Sequence, residues 1–276
     1  MDVGRPVSSI SAPIARFGGF VVAVSVLRLI EVHTGSFAKE AEMRILVISD
    51  VHANWPALEA VIAAEAYDHL LVGGDLVSYG PHPREVVEFV GNHATVAVRG
   101  NHDEALAHSV DCRCAPASKP LAEATRAVHR ELLSARELQY LGSLPLTGTL
   151  RDDGQTFFSV HASPREHLYR YTLTPDAPEQ HLRTEIAGVE EDFILLGHTH
   201  FPMIRRLGRQ IVINPGSVGQ PRDGNPLASY AVIEDGVPEL RRAAYDVERT
   251  VRDLRSLPVP VAITDSLVST LRNGTA

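Results

Sequence analysis

Asp, His and Asn recur in this chain directly after apolar runs, and their oxygens and nitrogens are metal-binding donors. The set is Asp50 and His52, Asp75, Asn101 and His102, His161, then His198 and His200. Carboxylate, imidazole and amide oxygen are hard-to-borderline ligands, suited to Mn2+, Fe or Zn2+ rather than to a thiolate-seeking ion. Seven ligands drawn from this set are too many for one mononuclear catalytic ion. They suit two ions about 3.5–4 Å apart that share one carboxylate. Singly, each is ordinary: an Asp after a strand is usually a turn or a cap. The joint recurrence at successive strand ends is the signal.

The elements that must position these groups follow from hydrophobic pattern. Arg44 to Ser49 is a continuous apolar run, the mark of a strand buried on both faces, and it closes on Asp50-Val51-His52. Pro56 suits a first helical turn, and Ala57 to Ala66 follows as a helix. His69 to Val72 is the next strand, closing on Gly73-Gly74-Asp75. A helix over Pro83 to Val90 precedes a buried strand over Thr95 to Val98, which breaks at Gly100 and presents Asn101, His102 and Asp103. Strand and helix alternating at this spacing predict a parallel sheet, and open α/β sheets put their chemistry at such strand ends.

Residues 104 to 145 are predicted helical, a cap beside the strand ends. Hairpin patterns follow. Thr147–Leu150 and Gln155–Val160 flank Asp152-Asp153-Gly154, Met203–Leu207 and Gln210–Ile213 flank Gly208, and Ser229–Glu234 pairs with Glu239–Ala244 across Asp235-Gly236. A second, largely antiparallel sheet is implied, in one domain over about 43–247. Residues 248–276 read as a helix and a less ordered tail.

Composition narrows the class. With 276 residues, 44% hydrophobic and 22% charged, the chain suits a globular enzyme. Its 26 basic and 34 acidic residues leave a net charge of −8, which argues against stable nucleic-acid binding. Cys112 and Cys114 are the only cysteines; a disulfide across one residue is strained, and a zinc site needs further thiolates or histidines nearby. They read as free thiols in a reducing cytoplasm. Residues 1–42 include the apolar stretch Phe17 to Ile30, too short for a membrane span and followed by a poor cleavage site at Ser36-Phe37-Ala38. They read as an N-terminal extension with no role in folding, disordered or an over-long translated start, in preference to the alternative of a secretory signal, because Met43 opens MRILVISDVHAN as an α/β domain would begin. His69, His82, His93, His108, His129, His167 and His181 lack partner signals and read as structural.

The motifs SDVHAN, GGDLVSYG, RGNHDEAL, SVHASP and LLGHTHFP resemble, in this order, those of the calcineurin-like metallophosphoesterase superfamily, over Met43 to Ala244. NPGSVGQPRDG at 214–224 resembles its small bacterial and archaeal branch. The resemblance implies a four-layer α-β-β-α sandwich of two mixed sheets flanked by helices. It assigns Asp50, His52 and His200 to a first metal, Asn101, His161 and His198 to a second, and Asp75 to both. The ions would be Mn2+ foremost, with Fe, Zn2+ or Ni2+ as alternatives. A hydroxide shared by them would attack phosphorus in line, with His102 as general acid and Asp103 as a candidate to orient it.

Departures from the superfamily narrow the substrate. The protein phosphatases of this superfamily carry GDxxDRG, where this chain has Gly74-Asp75-Leu76-Val77-Ser78-Tyr79-Gly80, so a dedicated protein phosphatase is disfavoured. Some small phosphodiesterases of the superfamily have Cys at the position of His102; keeping His favours a phosphatase for small-molecule monoesters. The alternatives are a phosphodiesterase for cyclic nucleotides or dinucleotides, and a non-catalytic scaffold such as the retromer subunit with this fold. Arg99, Arg165 and Arg222 are candidate phosphate clamps. Oligomeric state has no signature in the sequence.

Overall fold

The structure, a computed structural model, describes residues 43–275. The expectations for residues 1–42 lie outside the described residues. In chain order the elements are β1 (Arg44–Ile48), α1 (Trp55–Ala64), β2 (His69–Val72), α2 (Pro83–His93), β3 (Val96–Ala97), α3 (Asn101–His108), α4 (Lys119–Leu132), α5 (Ala135–Ser143), β4 (Thr147–Asp152), β5 (Gln155–Val160), α6 (Glu179–Glu185), β6 (Phe193–Leu195), β7 (Met203–Leu207), β8 (Gln210–Asn214), β9 (Ala228–Glu234), β10 (Val237–Ala243), α7 (Val247–Ser256) and α8 (Val261–Asn273).

The apolar run of β1 must be covered on both faces, and its alternation decides by what. Leu46 and Ile48 join Leu70 and Val72 of β2 beneath α1 and α2, which contribute Leu58, Val61, Val86 and Val90. Ile45 and Val47 point the other way, into a layer shared with Phe157, Phe193, Leu195, Ile211 and Ile213 of the second sheet. That sheet's outer face, with Val160, Ile194 and Val212, is covered by Leu182 of α6 and by Leu173. Helix, sheet, sheet, helix is the four-layer order the resemblance implied.

Both sheets are mixed. The first runs β10-β9-β1-β2-β3, with β1, β2 and β3 parallel and β9 antiparallel to β1. The second runs β4-β5-β6-β8-β7, parallel from β5 through β6 to β8 and antiparallel at its two edges. The expected largely antiparallel second sheet therefore needs correcting. All three hairpins form, but β9–β10 joins the first sheet through β1, because its buried residues Ala231 and Ile233 complete the inter-sheet core. The strand expected over Thr95 to Val98 is shorter, and Val96 and Ala97 are half-buried because β3 is an edge.

The C-terminal expectation is also revised. The described residues of 248–276, up to 275, hold most of α7 and all of α8 rather than one helix and a tail. Val251, Leu254, Leu267 and Leu271 form an apolar cluster with Tyr79, Ala105, Cys112 and Cys114. The stretch 104–145 carries the rest of α3, then α4 and α5, with a helix-free segment around the two cysteines.

Candidate metal centre

The parallel strands of both sheets end at one place. Asp50 and His52 follow β1, Asp75 follows β2, Asn101 follows β3, His161 follows β5 and His198 follows β6. The chain turns sharply at the exits of β1, β2 and β6: Asp50, His52, Ala53, Asp75, Ser78, Tyr79, His198 and His200 all have positive φ. L-residues adopt that region at a cost, and such strain persists where the surroundings over-determine it. Here a ladder of amides does so, with Asp50 N donating to Gly74 O, His52 N to Asp75 O, and Gly80 N to His52 O. Gly100 tolerates no side chain, because a Cβ there would collide with the carboxylate and amide of Asp75.

Two groups of donors converge. In the first, His52 Nδ1 donates to Val77 O at 2.9 Å and His200 Nδ1 to Gln220 O at 2.6 Å. Those bonds leave the Nε2 lone pairs unprotonated, and the two Nε2 atoms face each other at 3.2 Å. Asp50 Oδ1 lies 3.3 Å from His200 Nε2. In the second, His161 Nδ1 donates to Gly73 O at 2.7 Å, which turns Nε2 towards Asn101 Oδ1 at 3.0 Å and His198 Nδ1 at 3.1 Å. Asn101 Nδ2 donates to Cys112 O, so its Oδ1 faces inward. Asp75 Oδ2 lies between the groups, 3.8 Å from His52 Nε2 and 3.4 Å from His161 Nε2. The facing Nε2 lone pairs of His52 and His200 are stabilised by a cation between them, and imidazoles steered by carbonyls are the usual support of metal ligands.

The electrostatics agree. Burial alone would raise Asp50, but the charge and hydrogen bond of His200 hold it below the usual carboxylate range. Burial would likewise raise Asp75, and His161 and His102 hold it well below. Two buried carboxylates demand positive charge. Burial pushes His161 down, yet Asp75 and Asp50 outweigh it and raise the imidazole to about 9; a divalent cation meets the same demand. Burial keeps His52 and His198 neutral, as ligands must be, their pKa values lowered further by His200 and His161 respectively. The residues present therefore fit a divalent metal site.

His102 sits beside this centre. Its amide donates to Asp75 Oδ1 at 2.8 Å, and its Nε2 lies 4.0 Å from Asp75 Oδ2 and 3.3 Å from Tyr79 Oη. Asp103 does not orient it. That carboxylate accepts from the amides of Gly100, Asp75 and Leu76, each at 2.9 Å, and so locks two motif loops together. Of the three arginines, Arg99 is held by Glu104 and Gly142 O, and Arg165 reaches Thr184 O. Only Arg222 projects charge onto His102, Tyr79 and Tyr171. Its Nε is buried without a hydrogen-bond partner.

Several supporting residues escaped the sequence reading. His129, taken as structural, accepts from Ser78 N at 3.1 Å and donates to Gly80 O at 2.8 Å, pinning the loop after Asp75. Its only trace in the sequence is a polar residue on the buried face of α4. Ser217 Oγ donates to Asp50 O, and Asn214 Nδ2 to Gly197 O, so residues 214–220 stitch the first and last motifs together. Tyr171 lies with its ring 3.8 Å from that of His198 and is partly exposed, covering the outer side of the centre.

Among the described residues no helix is long and apolar enough to cross a membrane. Residues 43–235 match the sequence profile of the calcineurin-like phosphoesterase superfamily domain. An uncharacterized protein of Methanocaldococcus jannaschii is 30% identical over 228 residues, covering 74% of this chain and 89% of that protein. Phosphodiesterase YfcE of Escherichia coli K12 is 27% identical over 211 residues, covering 71% of this chain and 89% of YfcE. A metallophosphoesterase from Sphaerobacter thermophilus superposes with a TM-score of 0.68 at 35% identity, covering 85% of this chain and all of that one. A profile spanning most of the chain, over donors gathered in this way, identifies a metal-dependent phosphoric ester hydrolase that belongs to the calcineurin-like phosphoesterase superfamily.

Proposed function

We propose that this enzyme hydrolyses small phosphate esters at a pair of divalent cations. Asp50, His52 and His200 hold one ion, Asn101, His161 and His198 the other, and Asp75 both. The reading is carried by Asp75 Oδ2, which stands within 4 Å of His52, His161 and His102 together. When bound, such a pair supplies an activated water and neutralises charge on the phosphoryl oxygens.

The chain's own residues do the rest. Asp50 and Asp75 accept the amides of His198 and His102, which fixes their carboxylates before any substrate arrives. Arg222 offers an unsatisfied buried Nε to a phosphate oxygen. Tyr171 over His198 offers an aromatic face to the leaving group and keeps bulk water off the centre. Burial, opposed by Asp75, lowers His102 to about 4, so it presents a neutral imidazole. A phosphate dianion beside it favours the charged form, from which Nε2 can protonate the leaving oxygen.

That proton donor favours monoesters, whose leaving groups are often poor. A second reading, hydrolysis of diesters such as cyclic nucleotides or dinucleotides, is supported by the relationship to phosphodiesterase YfcE. The reaction belongs to a reducing compartment, where the free thiols Cys112 and Cys114 persist. Turnover of p-nitrophenyl phosphate against its bis ester in Mn2+ ranks the two readings. A kcat/KM ratio favouring the bis ester overturns the monoester assignment.

A further inference from the structure

His102, Cys112 and Cys114 form a third group of potential ligands, all buried, with donor atoms within 4.8 Å of one another. Tetrahedral zinc with bonds of about 2.3 Å to sulfur spaces two sulfurs about 3.8 Å apart, so only a small contraction closes the site. The sequence alone withheld a zinc site from Cys112 and Cys114 for want of a nearby histidine. Folding supplies one, because α3 starts at Asn101 and the segment after it returns, tied by the bond from Asn101 Nδ2 to Cys112 O.

The surroundings of the three donors also suit an ion. Cys112 and Cys114 are both free and buried, so their sulfurs have little access to water. His102 Nδ1 is buried and has no partner at all. An orphaned imidazole nitrogen costs free energy unless something meets it. Two sulfurs and one nitrogen are a softer donor set than the oxygens and imidazoles of the main centre, and they select a different ion. An apolar wall of Leu254, Leu267 and Leu271 shields the thiol side from solvent.

We propose that His102, Cys112 and Cys114 constitute a third, thiolate-rich cation site for a soft divalent ion such as Zn2+ or Cd2+, whose occupancy withdraws His102 from the reaction. Binding releases the two thiol protons to solvent and leaves a fourth coordination position open. The inhibitory half rests on the role given to His102 above; the binding half does not.

Cadmium titration of the reduced, Mn2+-loaded chain tests the binding half. An ultraviolet sulfur-to-cadmium charge-transfer band should grow and saturate at one equivalent. The oxygen and nitrogen donors of the main centre cannot produce it, so it reports this site even if no ester is turned over. The band should vanish in Cys112→Ser/Cys114→Ser, and His102→Ala should raise the half-saturating concentration roughly tenfold. Absence of the band in the wild-type chain, or its survival in the double variant, overturns the site. Misfolding of the double variant leaves the wild-type titration decisive. For the inhibitory half, excess Zn2+ over Mn2+ should slow turnover by roughly 10²-fold, as loss of a general acid would. Cys114→Ser should keep its Mn2+ activity and lose most of that inhibition. Full activity with the charge-transfer site saturated overturns the withdrawal of His102.

Discussion

His102 and Asp75 touch each other, and the proposed chemistry divides between them. Asp75 Oδ2 faces both imidazole groups, so Asp75→Asn should weaken both ions at once and lower kcat/KM by roughly 10²-fold or more. Metal analysis of the purified variant checks this; two retained ions with normal turnover would remove Asp75 from its shared position. His102 holds no place in either group, although its amide caps Asp75 Oδ1. His102→Ala keeps that amide, so ion content should be unchanged while turnover slows by about 10²–10⁴-fold. The loss should grow as the leaving group becomes more basic, measured across a series of substituted phenyl phosphates. These two residues were legible in the sequence because each follows an apolar run at a strand end. Asp103 was legible as part of the same motif but not as a loop lock, since three amides from separate segments meet only after folding.

At the scale of elements, α4 does what its sequence does not advertise. Its buried face carries Thr125 and His129, which hold Tyr79 N, Ser78 N and Gly80 O. Those bonds support residues with positive φ directly downstream of Asp75. Burial lowers His129 from 6.5 to about 4 despite the opposing bond to Gly80. The unfolded chain therefore takes up a proton below about 6.5 that the folded chain refuses until about 4. Stability from this group is fully present above 6.5 and falls as pH drops through that window, by up to about 3 kcal/mol. Urea unfolding of the wild type and His129→Gln at pH 7 and pH 5 should show a smaller loss in the variant. Equal losses would mean that His129 titrates normally in the fold.

For the whole molecule, the two sheets and the C-terminal helices are joined through the centre itself. Val218 N and Gly219 N donate to Ser49 O and Asp50 O, and Asn54 Nδ2 donates to Gly219 O and to Tyr245 Oη. Thr250 of α7 donates to Asn54 Oδ1. Ions held at the proposed centre, by residues that follow strands of both sheets, would therefore bind only the folded chain. Saturating Mn2+ at about 10³ times its Kd should add about 4 kcal/mol to stability, and chelation should lower Tm accordingly. Differential scanning calorimetry with Mn2+ and with EDTA checks this; coincident transitions would mean that no ion spans the sheets.

The sequence by itself determined the inventory of candidate ligands and the alternation of elements. Both are local: an apolar run followed by Asp, Asn or His declares a strand and its polar end without reference to anything distant. It did not determine which sheet the β9–β10 hairpin joins, that residues 247–273 form two packed helices, or that His129 and Ser217 brace the motifs. Nor did it bring His102 against Cys112 and Cys114. Those facts depend on which buried faces and unsatisfied amides meet once the layers close, and long-range pairing of that kind leaves no periodic trace along the chain.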